Sequence, residues 1–158
     1  MDCTFETEQG KFNFRVGVII VKDGKALMAR NPNDRRAYYY SVGGRVQYGE
    51  EMTAAVIREL KEETGIDCEV DRLVCIHENF FVDSFGVPYH EISAYFTIKE
   101  NDQLMQIENG HLTDHGPEGE YLTWIDLKHS DELTLYPEFI KTIDFDKETD
   151  VKHFVTRE

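Results

Sequence analysis

Three glutamates within five residues are the feature of this sequence that could do chemistry. Glu59, Glu62 and Glu63 lie in a run with helical periodicity that ends at Gly65. At about 100° per residue they fall within roughly 100° of arc on one side of a helix. Clustered carboxylates repel one another, and the usual neutraliser is a hard divalent cation, because such ions prefer oxygen ligands. The alternative is a solvated acidic helix face with salt bridges to Arg and Lys.

The residues around this cluster form a longer pattern. The stretch from Gly44 to Ile66 reads GRVQYGEEMTAAVIRELKEETGI. It contains a glycine, five residues, a glutamate, seven residues, and then Arg-Glu-apolar-any-Glu-Glu-any-Gly-apolar. This stretch resembles the signature of the Nudix hydrolase family without gaps. The matching residues are Gly44, Glu50, Arg58, Glu59, Leu60, Glu62, Glu63, Gly65 and Ile66. Val42 stands where many members have proline, and we expect it to affect the turn or the substrate fit rather than catalysis.

The resemblance implies hydrolysis of a phosphoanhydride in a nucleoside diphosphate linked to a further group X. The implied cofactor is Mg²⁺, with Mn²⁺ as the alternative, because such ions neutralise phosphate oxygens and activate a bound water. The oxygen ligands implied for it are Glu59, Glu63, Glu62 and the carbonyl of Gly43. Arg58, whose forked donors suit carboxylates, is expected to orient the cluster together with Glu50.

Two further roles are assigned less directly. Nudix proteins often supply a carboxylate from the loop before the strand that here holds Trp124, so Glu118 or Glu120 is the expected general base, ahead of Glu91. The alternative role of these two glutamates is only to keep the loop soluble. Arg30 ends a strand that is expected to face the substrate, so it is a candidate phosphate contact or an ordinary surface arginine. The six histidines show no spacing typical of a metal site.

Composition limits the partners. A chain of 158 residues is interpreted as one domain, 1–158. The net charge of −14 argues against a nucleic-acid polymer or an anionic membrane surface, whereas a small phosphorylated substrate stays compatible because a bound metal inverts the local field.

Three cysteines without a C-x-x-C pair indicate free thiols in a reducing compartment. With no secretory pattern and no long apolar run, the expected location is cytoplasmic.

The periodicity of the chain predicts strands that flank two helices, a class written as α/β (α+β). The predicted strands cover residues 14–21, 26–30, 38–40, 68–82, 89–99, 121–127 and 153–155, and the helices cover the signature run and 137–143. A hairpin at Asp23-Gly24 is expected to pair the first two strands. Leu73, Cys75 and His77 are expected on one strand face. These elements predict one mixed β-sheet between helices, and the resemblance implies the Nudix-like α/β/α sandwich.

The substrate stays open at this point. A nucleoside triphosphate, a nucleotide sugar and ADP-ribose all fit the pattern. One rival function is a Nudix-like sensor that binds a nucleotide without cleaving it, although such proteins usually lose signature carboxylates. A second rival, the isopentenyl diphosphate isomerases, needs a catalytic cysteine and metal-binding histidines that have no recognisable context here. A homodimer is common in the superfamily, and no feature of the sequence decides it.

Overall fold

The computed structural model describes residues 1–114, 118–145 and 147–158. Strands dominate it, and one long helix carries the glutamate cluster. In chain order the elements are β1 (Thr4–Thr7), β2 (Gly10–Ile19), β3 (Val21–Lys22), β4 (Lys25–Arg30), β5 (Tyr38–Ser41), β6 (Gly43–Arg45), α1 (Met52–Thr64), β7 (Val70–Val82), β8 (Pro88–Ile98), α2 (Asp102–Met105), β9 (His111–Leu112), β10 (Tyr121–Asp126), β11 (Thr134–Tyr136) and β12 (Lys152–Arg157). Two 3₁₀ helices cover Leu127–His129 and Glu138–Lys141.

The strands form two mixed sheets. The first has the order β1-β2-β8-β7-β12, with β6 also paired to β2, and the second has the order β11-β5-β4-β10-β9, with β3 paired to β4. Strand β2 runs parallel to β8, whereas β7 and β8 form a long antiparallel hairpin. The mixed α+β character is therefore confirmed, but two sheets replace the single expected sheet.

Each sheet buries both faces, which gives two hydrophobic cores. On one face, Val16 and Val18 of β2 pack with Val56 and Leu60 of α1. The other core lies on the opposite side, because successive strand residues alternate between faces. Its members include Ile19, Met28, Cys75, Tyr95, Leu135 and Ile140. The sheets thus lie between α1 on one side and the 3₁₀ helix Glu138–Lys141 on the other.

Three local expectations were wrong. The chain does turn at Asp23-Gly24, but the hairpin joins β3 to β4, while β2 pairs with β8 in the other sheet. Leu73 and Cys75 belong to opposite cores, because β7 shifts its register between these two residues. The predicted helix over 137–143 is only a four-residue 3₁₀ turn, Glu138–Lys141, and Pro137 before it is extended. Too few residues lie there to propagate an α-helix.

Strand β12 confirms the expected strand near 153–155 and closes one edge of the first sheet in parallel with β7. Cys3, Cys68 and Cys75 are all free thiols. Within the described ranges, no helix has both the length and the apolar character that crossing a membrane requires.

Candidate active site

Helix α1 presents its glutamates beside a buried face. Ala55, Val56 and Leu60 are completely buried, which fixes the rotation of the helix against the first core. Gly65 ends the helix in the left-handed conformation at φ 75° and donates its N–H to the Lys61 carbonyl. Glycine reaches this conformation without a Cβ clash, as expected for a helix end. The glutamates of the last two turns therefore project along the edge of the core, where the glycine turn passes.

The glycines of β6 make room for these side chains. A Cβ at Gly44 would lie 2.3 Å from the carboxyl carbon of Glu59, so only glycine fits beside that carboxylate. Gly43 has φ 149°, and a Cβ there would lie 2.2 Å from the Val16 carbonyl oxygen. Its N–H donates to Glu63 Oε2 at 3.3 Å. The two glycines thus form a close-fitting cradle for the carboxylates of α1.

Arg58 binds one part of the cluster. Its Nε and Nη2 donate to the two carboxylate oxygens of Glu50 at 2.8 and 2.9 Å, and its Nη1 donates to Glu59 Oε1 at 2.6 Å. Glu62 Oε2 lies 3.5 Å from the same Nη1. The hydrogen bond from Arg58 lowers the pKa of Glu50, and the hydrogen bond to Glu50 raises the pKa of Arg58. Arg58 therefore ties the turn to the helix, as its place in the signature predicts.

Glu63 and Glu120 form the other part. Glu63 is 9% exposed and Glu120 only 4%. Tyr40 Oη donates to Glu120 Oε2, and Thr113 Oγ1 donates to Oε1 at 2.8 Å. Burial raises the pKa of Glu63 well above its ordinary value, and the charges of Glu120 and Glu59 raise it further. Burial and these neighbouring charges disfavour the ionised form of Glu63, which a bound cation would favour.

These side chains line a cleft of about 560 Å³. Its lining residues are Asp2, Arg15, Tyr40, Gly43, Gly44, Arg45, Gln47, Arg58, Glu59, Glu62, Glu63 and Glu120. Arg15 was not among the residues singled out from the sequence. It lies in β2, and its only sequence signal is a charge next to the apolar residues Phe14 and Val16. The pairing of β2 with β6, which sets Arg15 opposite Arg45, brings it to the cleft.

Two of the expected residues do not join the others. Glu118 is exposed and absent from the cleft lining, and its carbonyl accepts a hydrogen bond from Asn33 Nδ2 at 2.7 Å. The Arg30 guanidinium lies over the Tyr39 ring, 5.4 Å from its centroid. Tyr39 belongs to the core away from α1, whereas its neighbour Tyr40 faces α1. Arg30 is therefore placed on the face of the sheet away from the cleft.

The donor set fits a hard divalent cation in its chemistry. Glu59, Glu62, Glu63 and Glu120 offer carboxylate oxygens to one cleft. The pKa of Glu63 is raised first by burial and then by the charges of Glu120 and Glu59, so a bound cation would favour its ionised form. As the side chains stand, however, no three His, Cys, Asp or Glu residues of the described ranges are grouped closely enough to hold an ion. Binding one therefore requires the carboxylates to draw closer together.

With this geometry defined, comparison with known proteins identifies the family. Residues 11–143 match the NUDIX domain family, so the chain belongs to that family. The CTP pyrophosphohydrolase of Escherichia coli is 38% identical over 65 residues, which are 40% of this chain and 48% of that protein. The ADP-ribose pyrophosphatase of Methanocaldococcus jannaschii is 36% identical over 81 residues, 51% of this chain and 46% of that protein. The chain thus spans about half the length of these curated relatives.

The fold agrees with that assignment. The crystal structure of the MutT protein from Bacillus halodurans matches this chain with a TM-score of 0.61 at 22% sequence identity, covering 90% of each chain. At this identity the likeness concerns the fold alone. It confirms the Nudix fold expected from the signature, with the mixed sheets and the helix α1 described above.

Proposed function

We propose that this protein is a Mg²⁺-dependent pyrophosphohydrolase, with Mn²⁺ as an alternative ion, that cleaves a phosphoanhydride in a nucleoside diphosphate linked to a group X. The observation that carries the proposal is a set of carboxylates in one cleft, of which Glu63 and Glu120 are buried and Glu59 is 13% exposed. The two relatives support it, because CTP and ADP-ribose, the substrates in their names, both contain a nucleoside diphosphate with a further group attached.

Glu59 and Glu63 are the proposed metal ligands, with Glu62, more exposed and held by Arg58, as a third ligand or one acting through water. The Gly43 carbonyl is a proposed additional oxygen. When bound, a divalent cation would neutralise phosphate oxygens and lower the pKa of a water. Glu50 acts through Arg58, whose hydrogen bonds orient the Glu59 carboxylate.

Glu120 is the proposed general base. It is buried in the cleft beside Glu63, and the hydroxyls of Tyr40 and Thr113 hold its two oxygens. A carboxylate accepts about four hydrogen bonds, so Glu120 keeps capacity to take a proton from a water in the cleft. Glu118 is exposed and outside the lining, which favours Glu120 of the two residues predicted from the loop.

The test is phosphate release from a panel of nucleoside triphosphates, ADP-ribose and nucleotide sugars, coupled to added pyrophosphatase and phosphatase. We expect turnover of at least one substrate with Mg²⁺ and none with a chelator. The matched control is Glu63→Gln, which keeps the shape of the side chain and removes its charge. Binding of a nucleotide without turnover of any substrate would contradict hydrolysis and favour the sensor function instead.

The remaining sequence-based expectations stay predictions. They are the cytoplasmic location and one domain over 1–158, and whether the protein forms a homodimer stays open. The acidic cleft, whose cationic lining residues within the described ranges are Arg15, Arg45 and Arg58, is compatible with a small phosphorylated substrate carried with its metal rather than a bare polyanion.

A further inference from the structure

A further carboxylate, Glu91 of β8, lies close to Arg15 of the cleft, on the face of the first sheet that is turned away from α1. Strands β2 and β8 pair in register, so that Asn13 lies opposite Glu91 and Arg15 opposite Ser93. The intervening residues of these strands, including Val16, belong to the α1 core. Asn13 and Ser93 are each 4% exposed and the Glu91 side chain 12%. A polar cluster is therefore buried where a sheet would ordinarily carry apolar side chains.

The hydrogen bonds that hold Glu91 are all long. Asn13 Nδ2 lies 3.3 Å from its Oε2 and Ser93 Oγ lies 3.4 Å from its Oε1, beyond the 2.7–3.2 Å range that is usual for such bonds. The Nη1 of Arg15 is 3.9 Å from Oε2. Buried carboxylates are normally well bonded, and an ionised one accepts about four hydrogen bonds. Glu91 thus retains unused acceptor capacity.

Arg15 connects this cluster to the proposed active site. Its side chain is 38% exposed and lines the cleft. The pKa of Arg15 is raised although burial lowers it, because the charges of Glu91, Glu63 and Glu59 outweigh burial. One guanidinium therefore lies within electrostatic reach of both carboxylate groups. Glu91 is not itself among the lining residues, but Arg15, which lines the cleft, lies 3.9 Å from it, and this contact sets Glu91 beside the cleft.

We propose that Glu91, held by Asn13 and Ser93, is a specificity-determining residue that accepts hydrogen bonds from the amino group of a nucleobase. The inference rests on the proposed function, because it concerns the substrate of that same cleft. A carboxylate repels phosphate and attracts a neutral donor. Among the parts of a nucleotide, the amino groups of cytosine and adenine are such donors, and carboxylates accept from them in nucleic-acid recognition. Ribose hydroxyls are donors too, but they cannot distinguish two bases.

The test uses pairs of nucleotides that differ by an amino group against a carbonyl oxygen, namely CTP with UTP and ATP with ITP. In at least one pair, the wild-type protein should prefer the amino-bearing member by roughly tenfold to a hundredfold in kcat/KM, as expected for a hydrogen bond to a charged group. Glu91→Gln should abolish or invert this preference, because its amide can donate to a carbonyl. The change should appear in KM, with kcat of the preferred substrate nearly unchanged.

Glu78→Gln is the matched control, since it makes the same chemical change on the neighbouring strand β7 at a residue bonded to His153 and outside the cleft lining, and it should preserve the preference. Glu91→Asp, which keeps the charge and shortens the side chain, replaces Glu91→Gln if thermal unfolding shows that the latter does not fold. If Glu91→Gln changed kcat/KM equally for both members of each pair, Glu91 would contact the sugar or act only through Arg15. That result would overturn the proposal. So would a wild-type protein without any preference.

Binding separates this inference from the proposed hydrolysis. Calorimetric titration of CMP, UMP, AMP and IMP in the presence of a chelator involves no turnover. A preference for the amino-bearing monophosphate that Glu91→Gln loses would support the inference even if no triphosphate were hydrolysed. Equal binding of the paired monophosphates by the wild-type protein would contradict it even if hydrolysis were rapid.

Discussion

The two parts of the carboxylate cluster differ in how their charge is balanced. Glu50 and Glu59 both contact the Arg58 guanidinium at hydrogen-bond distance. Glu63 and Glu120 are more deeply buried, and in the described part of the chain no Lys, Arg or His side chain lies within ion-pair distance of either carboxylate. Their partners there are a backbone N–H and two hydroxyls.

We interpret this difference as one between residues that hold the turn in place, Glu50 and Glu59 with Arg58, and residues whose charge a bound ion is proposed to balance, Glu63 and Glu120. A buried charge with a bidentate guanidinium partner stabilises the fold of the turn. A buried carboxylate without a cation is costly, so keeping two such groups together is unfavourable unless the protein gains charge compensation from a bound ion. Substitutions in the two parts should therefore have opposite effects on stability and unequal effects on activity.

The largest expected effect belongs to Glu63→Gln. Removing a residue that supports a metal ligand costs roughly 10–100-fold in activity, so removing a proposed ligand should lower kcat by at least roughly a hundredfold. The free energy of unfolding should stay unchanged or rise, because the change relieves repulsion from Glu120 and Glu59 while the amide oxygen can still accept the Gly43 N–H. Steady-state kinetics and denaturant unfolding without metal measure both quantities.

Glu50→Gln is the matched control for that prediction. It removes the same charge from the Arg58 side of the cluster, where the bidentate ion pair is lost, so it should lower the free energy of unfolding by about 1–3 kcal/mol. Equal stability losses in the two variants, or near wild-type turnover by Glu63→Gln, would show that the two parts of the cluster do not differ in the proposed way.

A somewhat smaller effect should distinguish the two loop glutamates. Glu120→Gln should lower kcat by roughly a hundredfold, the lower end of the contribution of a general base, because Glu120 is buried in the cleft. Glu118→Gln carries the same chemical change two residues away at an exposed position and should stay within about twofold of wild type. Two equally active variants would place the base elsewhere.

The signature predicted the cluster well because its geometry is local. A helix with apolar residues on one face fixes where Glu59, Glu62 and Glu63 project, and the forked donors of Arg58 predicted its contact with Glu50. A fixed spacing along one helix therefore sufficed for that part of the site.

The rest of the site depends on long-range pairing that spacing does not encode. Arg15 reaches the cleft only because β2 pairs with β6 on one side and β8 on the other. The same sequence pattern suggested a hairpin between β2 and β4, which would have put Arg15 elsewhere. Arg30 was expected to face the substrate but lies over Tyr39. A shift of one residue in strand register decides between these two directions. Glu118 and Glu120 could not be separated, because both precede β10 in a loop, where no periodicity indicates which residue is buried.

The smallest expected effect is a pH dependence of stability in the metal-free protein. The pKa of Glu63 is raised above its ordinary value of 4.5, so between the two values the folded state holds more protons than the unfolded chain. The free energy of unfolding should therefore fall as the pH rises above about 4.5 through the raised pKa, by at most about 1.4 kcal/mol per pH unit for this one group.

Denaturant unfolding with a chelator from about pH 5 to about pH 8 measures this fall, and Glu63→Gln should make it shallower. Burial lowers the pKa of His77 and so acts in the opposite sense, but it contributes equally to both proteins and cancels in their difference. Saturating Mg²⁺ should stabilise the wild-type protein most at the alkaline end, because ligands bind in their ionised form. Parallel pH profiles for the two proteins would mean that Glu63 ionises normally and needs no cation.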